Sequence, residues 1–214
     1  MAEDEGRGFI LGRGTKFYEF AKKTGELMWL NLLTIACSLP VITIGCAFSA
    51  MHRVLLSIYR DEEKNIAKEY FASFKENFKH ATIIWAFYII YFGVMWIDDF
   101  ALRALNNPTI SYLRILVPLL SILGVLSMQW FFVLQSRYNL TIKDTIVYSF
   151  TRIVAFPLRT LMMGISIAVP VVLPAFFPYI LPVSILLGFS GSGLLMVCFY
   201  NGALKIMEDD GSGD

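Results

Sequence analysis

Long uncharged apolar runs alternate with charged stretches along this chain. The first run, 27–50, holds 24 residues without a charge. As one continuous helix it measures about 36 Å, enough to cross a hydrocarbon core of about 30 Å. Pro40 and Gly45 interrupt it, and Asn31 is its one strongly polar side chain. The second run, 81–97, carries Trp85 and Trp96 near its two ends, as interface anchors do, and stops at Asp98 and Asp99. The third, 115–134, lies between Arg114 and Arg137, with Gln129 and Trp130 towards its far end. Asn106, Asn107, Pro108 and Thr109 predict the turn between the second and third. Residues 160–204 then form 45 consecutive uncharged positions. One helix of that length is about 68 Å, roughly twice what a bilayer needs, so the chain must turn. Pro174, Pro178 and Pro182 mark the place, because proline interrupts the ladder and disfavours helix before it. Two spans result, 161–175 and 183–199.

The polar stretches have a pattern of their own. In 65–79, Ile66, Tyr70, Phe74 and Phe78 recur every four residues among lysines and glutamates. This predicts an amphipathic helix with an aromatic face. It either lies in the membrane interface or packs on the polar end of the bundle. Ile142, Ile146, Phe150 and Ile153 form a weaker stripe, and Phe17, Phe20 and Thr24 hint at a third. The expected fold is all-α: a polytopic helical membrane protein of about five transmembrane helices with amphipathic cytoplasmic linker helices. A polar tail over 1–26 precedes one membrane domain over 27–204, and an acidic, disordered tail is expected over 205–214.

Composition agrees with that class. Hydrophobic residues make up 57%, charged residues 16%, and mean hydropathy is +0.61, against about 25% charged in soluble domains. A net charge of +1 gives no field that would steer the chain to nucleic acid. The basic residues are unevenly placed. Linker 51–80 carries Arg53, Arg60, Lys64, Lys68, Lys75 and Lys79; linker 135–159 carries Arg137, Lys143, Arg152 and Arg159; Lys205 follows the last span. Only Arg103 and Arg114 lie between the second and third spans. Basic residues are retained in the cytoplasm, so the two long linkers and the C-terminus are expected there, in a multi-pass protein of the cell membrane. The N-terminal side depends on 27–50. A single crossing, which its length suits, puts eleven basic residues inside and seven outside. A re-entrant loop breaking at SLPVITIG leaves four full spans and a count of sixteen to two. Residues 1–26 lack the pattern of a cleaved signal peptide.

No phosphate-binding loop, zinc-protease motif or nucleophile elbow occurs. Cys37, Cys46 and Cys198 read as buried small hydrophobes, and His52 and His80 stand at membrane edges without a partner at ligand spacing. No catalytic residue, metal or cofactor is expected. Within the apolar runs the candidate polar or broken-helix site is Asn31, Pro40, Thr43, Gly45 and Gln129, where interrupted backbone can meet a ligand. Ser184, Gly188 and Ser192 fall on one face of the last span, and Gly164 and Ala168 on one face of the span before. Such small faces permit close helix approach.

The stretches MWLNLLTIACSLPVITIGCAFSAMHRVLLSIYRDEE and IAKEYFASFKENFKHATIIW resemble the YesL-like family of bacterial membrane proteins. The corresponding positions include Asn31, Pro40, Thr43, Gly45, Ala50, Phe74, Lys75, Asn77 and Phe78. SRYNLTIKDTIVYSF, FPLRTLMM and LLGFSGSGLLMVCFYNGALKI extend the resemblance, with Cys46, Phe48 and the acidic tail as departures. The family's biochemical function is not established. Its members are often encoded beside sugar permeases and polysaccharide-degrading enzymes. The resemblance thus implies a non-enzymatic accessory, assembly or regulatory role in carbohydrate uptake. The expected partners are the lipid bilayer and either a sugar-permease complex or a second copy of the chain. The competing readings are an oligomeric small-solute transporter and a membrane enzyme acting on lipid or glycan.

Overall fold

A computed structural model describes residues 16–62, 65–105, 113–138 and 140–211, and these are all-α. The helices are α1 (Lys16–Ser38), α2 (Ile44–Tyr59), α3 (Ile66–Leu105), α4 (Leu113–Arg137), α5 (Ile142–Ala155), α6 (Pro157–Phe176) and α7 (Leu181–Gly211). Short 3-10 turns at Val41–Thr43 and Pro178–Ile180 join α1 to α2 and α6 to α7. Among the described residues, four stretches are long and apolar enough to cross a membrane: Val41–Tyr59, Ile66–Ala104, Leu113–Arg137 and Pro178–Leu204. The pair α5–α6 becomes a fifth if it is counted together, although it is bent by 106°. The chain is a polytopic membrane bundle.

The run 27–50 does not form the single helix that its length suggested. Pro40 has no N–H to donate and sits in extended backbone (φ −75°, ψ 119°), so α1 stops before it. The chain then reverses. Lys23 in the second turn of α1 reaches Asp61 just beyond α2, with Nζ 2.7 Å from Oδ1. The two helices are antiparallel, and both outer ends of this hairpin lie at one end of the bundle. Asp61 also ends α2. Its φ of 54° is left-handed, its N–H donates to the Ile58 carbonyl (3.3 Å), and the Glu62 N–H donates to Ser57 (3.0 Å). That is the Schellman arrangement, with aspartate in the position glycine usually takes.

The 65–79 segment is not a separate helix either. It is the first third of α3, a 40-residue helix about 60 Å long. Nothing between Lys79 and Ala81 breaks a backbone, so the change from polar to apolar alters what the helix touches and not its course. A helix continuous with a span cannot lie flat in the interface. Its aromatic face packs instead: Tyr70 is buried, Ile66 and Phe74 are half-buried against the core, and Phe78 alone is exposed. α2 runs antiparallel to this half of α3, through Ser57 to Glu69, Arg53 to Glu76, and Gly45 against Ala81 and Trp85. α4 runs antiparallel to all of it, from Arg114 at the Leu102 carbonyl to Gln135 at Asn77.

Thr141 caps α5, accepting from the Asp144 N–H (3.3 Å), and Pro157 opens α6 where its missing N–H costs nothing. Pro170 and Pro174 lie inside α6, and the turn falls at Phe177 and Pro178. Of the three prolines expected to mark it, only Pro178 does; Pro182 sits in the first turn of α7. α7 also runs past 204 to Gly211, so a disordered tail from 205 is not what the helix boundary shows. The N-terminal residues 1–15 and the last three lie outside the described residues. The core is centred on Leu30, Met51, Leu55, Trp130 and Tyr200, with a second cluster on Ile84, Tyr88, Phe131 and Phe132.

Candidate functional site

Asn31 is the most constrained polar residue in the bundle. It is fully buried, and both ends of its amide are used. Nδ2 donates to the Ile185 carbonyl (2.7 Å), and Oδ1 accepts from the Ser190 N–H (2.9 Å). Those two groups are five residues apart on α7, so neither is the other's normal helical partner. One side chain of α1 therefore ties two turns of α7.

The break after α1 is closed in the same way. The Thr43 hydroxyl lies 2.6 Å from the Cys37 carbonyl and 2.7 Å from that of Pro40, and the Thr43 N–H donates to Pro40 (2.9 Å). Trp85 Nε1 donates to Val41 (2.7 Å). The Ala36, Cys37, Pro40 and Val41 carbonyls at the break thus have donors, while Pro40 itself is exposed. Gly45 permits the closest helix contact here. A Cβ on it would stand 2.7 Å from Trp85 Cβ and 2.9 Å from the Ala81 carbonyl oxygen. Pro40, Thr43 and Gly45 thus build the reversal, and Asn31 fastens it to α7.

Gln129 is different. It is fully buried on α4, away from the hairpin break, and neither amide atom has a partner among the described residues. Its neighbour Trp130 donates to Thr160 (2.8 Å), which anchors α6. Six residues beyond Gln129, Gln135 donates to Asn77 (3.0 Å). His52, read from the sequence as standing at a membrane edge, is fully buried within the bundle, stacked on Phe132 (centroids 6.4 Å apart) and edge-on to Tyr200 (5.8 Å). The signal for this was its helical spacing from Phe48, Ser49, Leu55 and Leu56, all on the inner side of α2.

The small-residue faces divide between two contacts. Gly188 faces α6, where a Cβ would stand 3.0 Å from Pro170 Cβ. Ser192 is buried and Ser184 half-buried. Gly164 faces α4 rather than α7, near Leu126 and Gln129, and Ala168 is exposed. α6 and α7 do pack together, but not through Gly164 and Ala168. Sequence spacing did not single out Gly193, whose α-carbon lies against Leu55 and Met51 of α2, or Gly124, which lies against the Tyr91 ring.

The ionic groups gather where the hairpin ends. Besides Lys23–Asp61, Arg53 Nη1 meets Glu76 (2.7 Å) and Ser57 donates to Glu69 (2.7 Å). Arg60 reaches Asn201 of α7 (3.2 Å). A cavity of about 660 Å³ opens here, lined by Glu19, Lys22, Glu26 and Glu62 together with Lys23, Ser57, Asp61 and Glu69. The hydrogen bond and charge of Asp61 raise the pKa of Lys23 above the ordinary lysine value.

Fold and interior define the class: a multi-pass helical membrane protein with a hairpin fastened to its last helix through a buried amide. Residues 27–99 match the model of a family described as Protein of unknown function, DUF624, which is the YesL-like family. The matched part holds Asn31, the break at Pro40 and the first two-thirds of α3 and more. No curated protein and no solved structure matches the chain.

Proposed function

We propose that this protein is a non-enzymatic accessory, assembly or regulatory subunit that acts with a sugar-permease complex in carbohydrate uptake. The observation that carries the reading is a centre filled with large side chains. Trp130, Met51, Leu55 and Tyr200 are buried in one cluster between α2, α4 and α7, and Phe131 and Phe132 in a second with Ile84 and Tyr88 of α3. A body packed in this way supports a partner and offers its polar end to it. The link to sugar uptake rests on the YesL-like resemblance. The hairpin also supports an orientation. Because both its ends lie together, the N-terminal basic residues fall on the side of the long linkers, giving sixteen basic residues there and two opposite. That supports both termini in the cytoplasm.

The test is purification from the native membrane in mild detergent with mass spectrometry of co-purifying proteins. Stoichiometric recovery of a sugar permease is expected; a homo-oligomer recovered alone overturns the reading. One observation favours the alternative of an oligomeric small-solute transporter, the buried amide of Gln129, which has no partner among the described residues. That alternative requires substrate-dependent flux in proteoliposomes, and loss of it in Gln129→Leu.

A further inference from the structure

At the end opposite the ionic groups, α3 and α4 part to leave a crevice of about 670 Å³. Its lining changes character along the helix axes. Nearest the α3–α4 connection stand Asp99, Arg103 and Arg114; deeper lie Phe92, Met95 and Ile122. The step falls where α3 passes from the apolar run into Asp98 and Asp99, the level at which a span meets the lipid headgroups. The lining itself holds two guanidiniums and one carboxylate and is net positive, with Asp98 beside it on α3 but outside the lining. Asp99 Oδ2 occupies Arg103 Nε (2.7 Å), and Arg114 Nη2 donates to the Leu102 and Arg103 carbonyls (3.1 and 3.2 Å) at the end of α3. Arg114 Nε is buried and has no partner among the described residues. Carbonyl acceptors do not neutralise the Arg114 charge, and an anion in the mouth would complement it.

We infer that this crevice is a binding site for one anionic phospholipid, with its phosphate between Arg103 and Arg114 and an acyl chain along Phe92, Met95 and Ile122. Charge complementarity at the mouth and the polarity gradient below it select an anionic amphiphile over a zwitterionic lipid or a free anion. The Arg103–Asp99 pair sets the strength of the site, because the carboxylate competes with the phosphate for the same guanidinium.

The experiment is native mass spectrometry of the full chain in detergent, titrated with phosphatidylglycerol or with phosphatidylcholine of the same acyl chains. One phosphatidylglycerol is expected to be retained in preference. Arg103→Gln is expected to weaken it roughly fivefold, the factor that goes with about 1 kcal/mol per basic residue at an anionic lipid surface. Asp99→Asn is expected to strengthen it by freeing the guanidinium. Ser121→Phe, which fills the crevice, is expected to weaken both lipids. Arg114 is left in place because it also caps α3. Circular dichroism and gel filtration establish that each variant is folded. Equal retention of the two lipids by the native chain overturns the site, as does unchanged selectivity in both Arg103→Gln and Asp99→Asn. Displacement of the lipid by excess inorganic phosphate overturns the amphiphile and leaves only an anion contact.

Discussion

At the residue scale, the most informative substitution is at Asn31. Asn31→Leu leaves the half-buried Ile185 carbonyl and the buried Ser190 N–H without the partner that ties them. A loss of about 2 kcal/mol is expected for buried groups left unmade, read as a lower melting temperature in detergent. Gly45→Ala is expected to cost about 1–3 kcal/mol, because the added methyl meets the Ala81 backbone and Trp85, which must shift together. Asp61 gives a prediction of opposite sign. Its left-handed φ of 54° favours glycine, and the exposed ion pair with Lys23 contributes little. Asp61→Gly is therefore expected to match or exceed the native melting temperature, and Asp61→Val to fall below it. The chemistry of Asn31, Pro40, Thr43 and Gly45 as a group was legible in the sequence, since an amide, a proline, a hydroxyl and a glycine in an apolar run have to be accommodated. Which backbone groups they answer was not, because Ile185 and Ser190 are more than 150 residues away along the chain.

At the scale of the elements, two boundaries were drawn from hydropathy and two were set by the backbone. The 27–50 run reads as one span because none of its residues is charged, yet proline and the extended backbone at Pro40 turn it back on itself. The test is cysteine labelling in a background without Cys37, Cys46 and Cys198. Cysteines placed at Lys22 and at Glu62 are expected to react with an impermeant reagent from the same side of the membrane. Labelling from opposite sides would restore the single crossing. The 65–79 and 81–97 runs read as two elements because their polarity differs, yet they share α3. Lys79→Pro is expected to cost about 3 kcal/mol or more, since it breaks a continuous ladder; a true linker at that point would tolerate it. Helical periodicity was sound in both places. Polarity reports what surrounds a helix, and only the hydrogen-bond ladder reports where it ends.

At the scale of the whole molecule, the bundle is polarised. Ionic contacts among α1, α2, α3 and α7 gather at one end, and the α3–α4 crevice opens at the other. Under the orientation proposed, the ionic end is cytoplasmic. A reporter fused after residue 214 is then expected to be active only if it functions in the cytoplasm, and the same holds for one fused at the N-terminus. Opposite results at the two ends would require an odd number of crossings and would contradict the antiparallel hairpin. The wide ionic face is where a partner's cytoplasmic parts would meet this protein. Charge substitutions there, such as Lys22→Glu, are expected to reduce recovery of that partner while leaving the fold intact, because Lys22 is exposed.

The sequence by itself determined the class. Apolar runs of spanning length, few charges and their one-sided distribution are properties of composition and order, and a bilayer acts on them wherever the chain folds. It also determined the helical periodicities and the proline that had to end a helix. The tertiary structure decided how those helices pair. Whether Pro40 kinks a span or reverses it depends on whether α2 finds a surface on α3. That surface exists because Gly45 lets the two backbones approach and Arg53 and Ser57 meet Glu76 and Glu69. The burial of His52, the reach of Asn31 to α7, and the parting of α3 and α4 around Arg114 likewise belong to contacts between distant parts of the chain. Local pattern carries no record of such contacts, because their energy arises only when the helices are side by side.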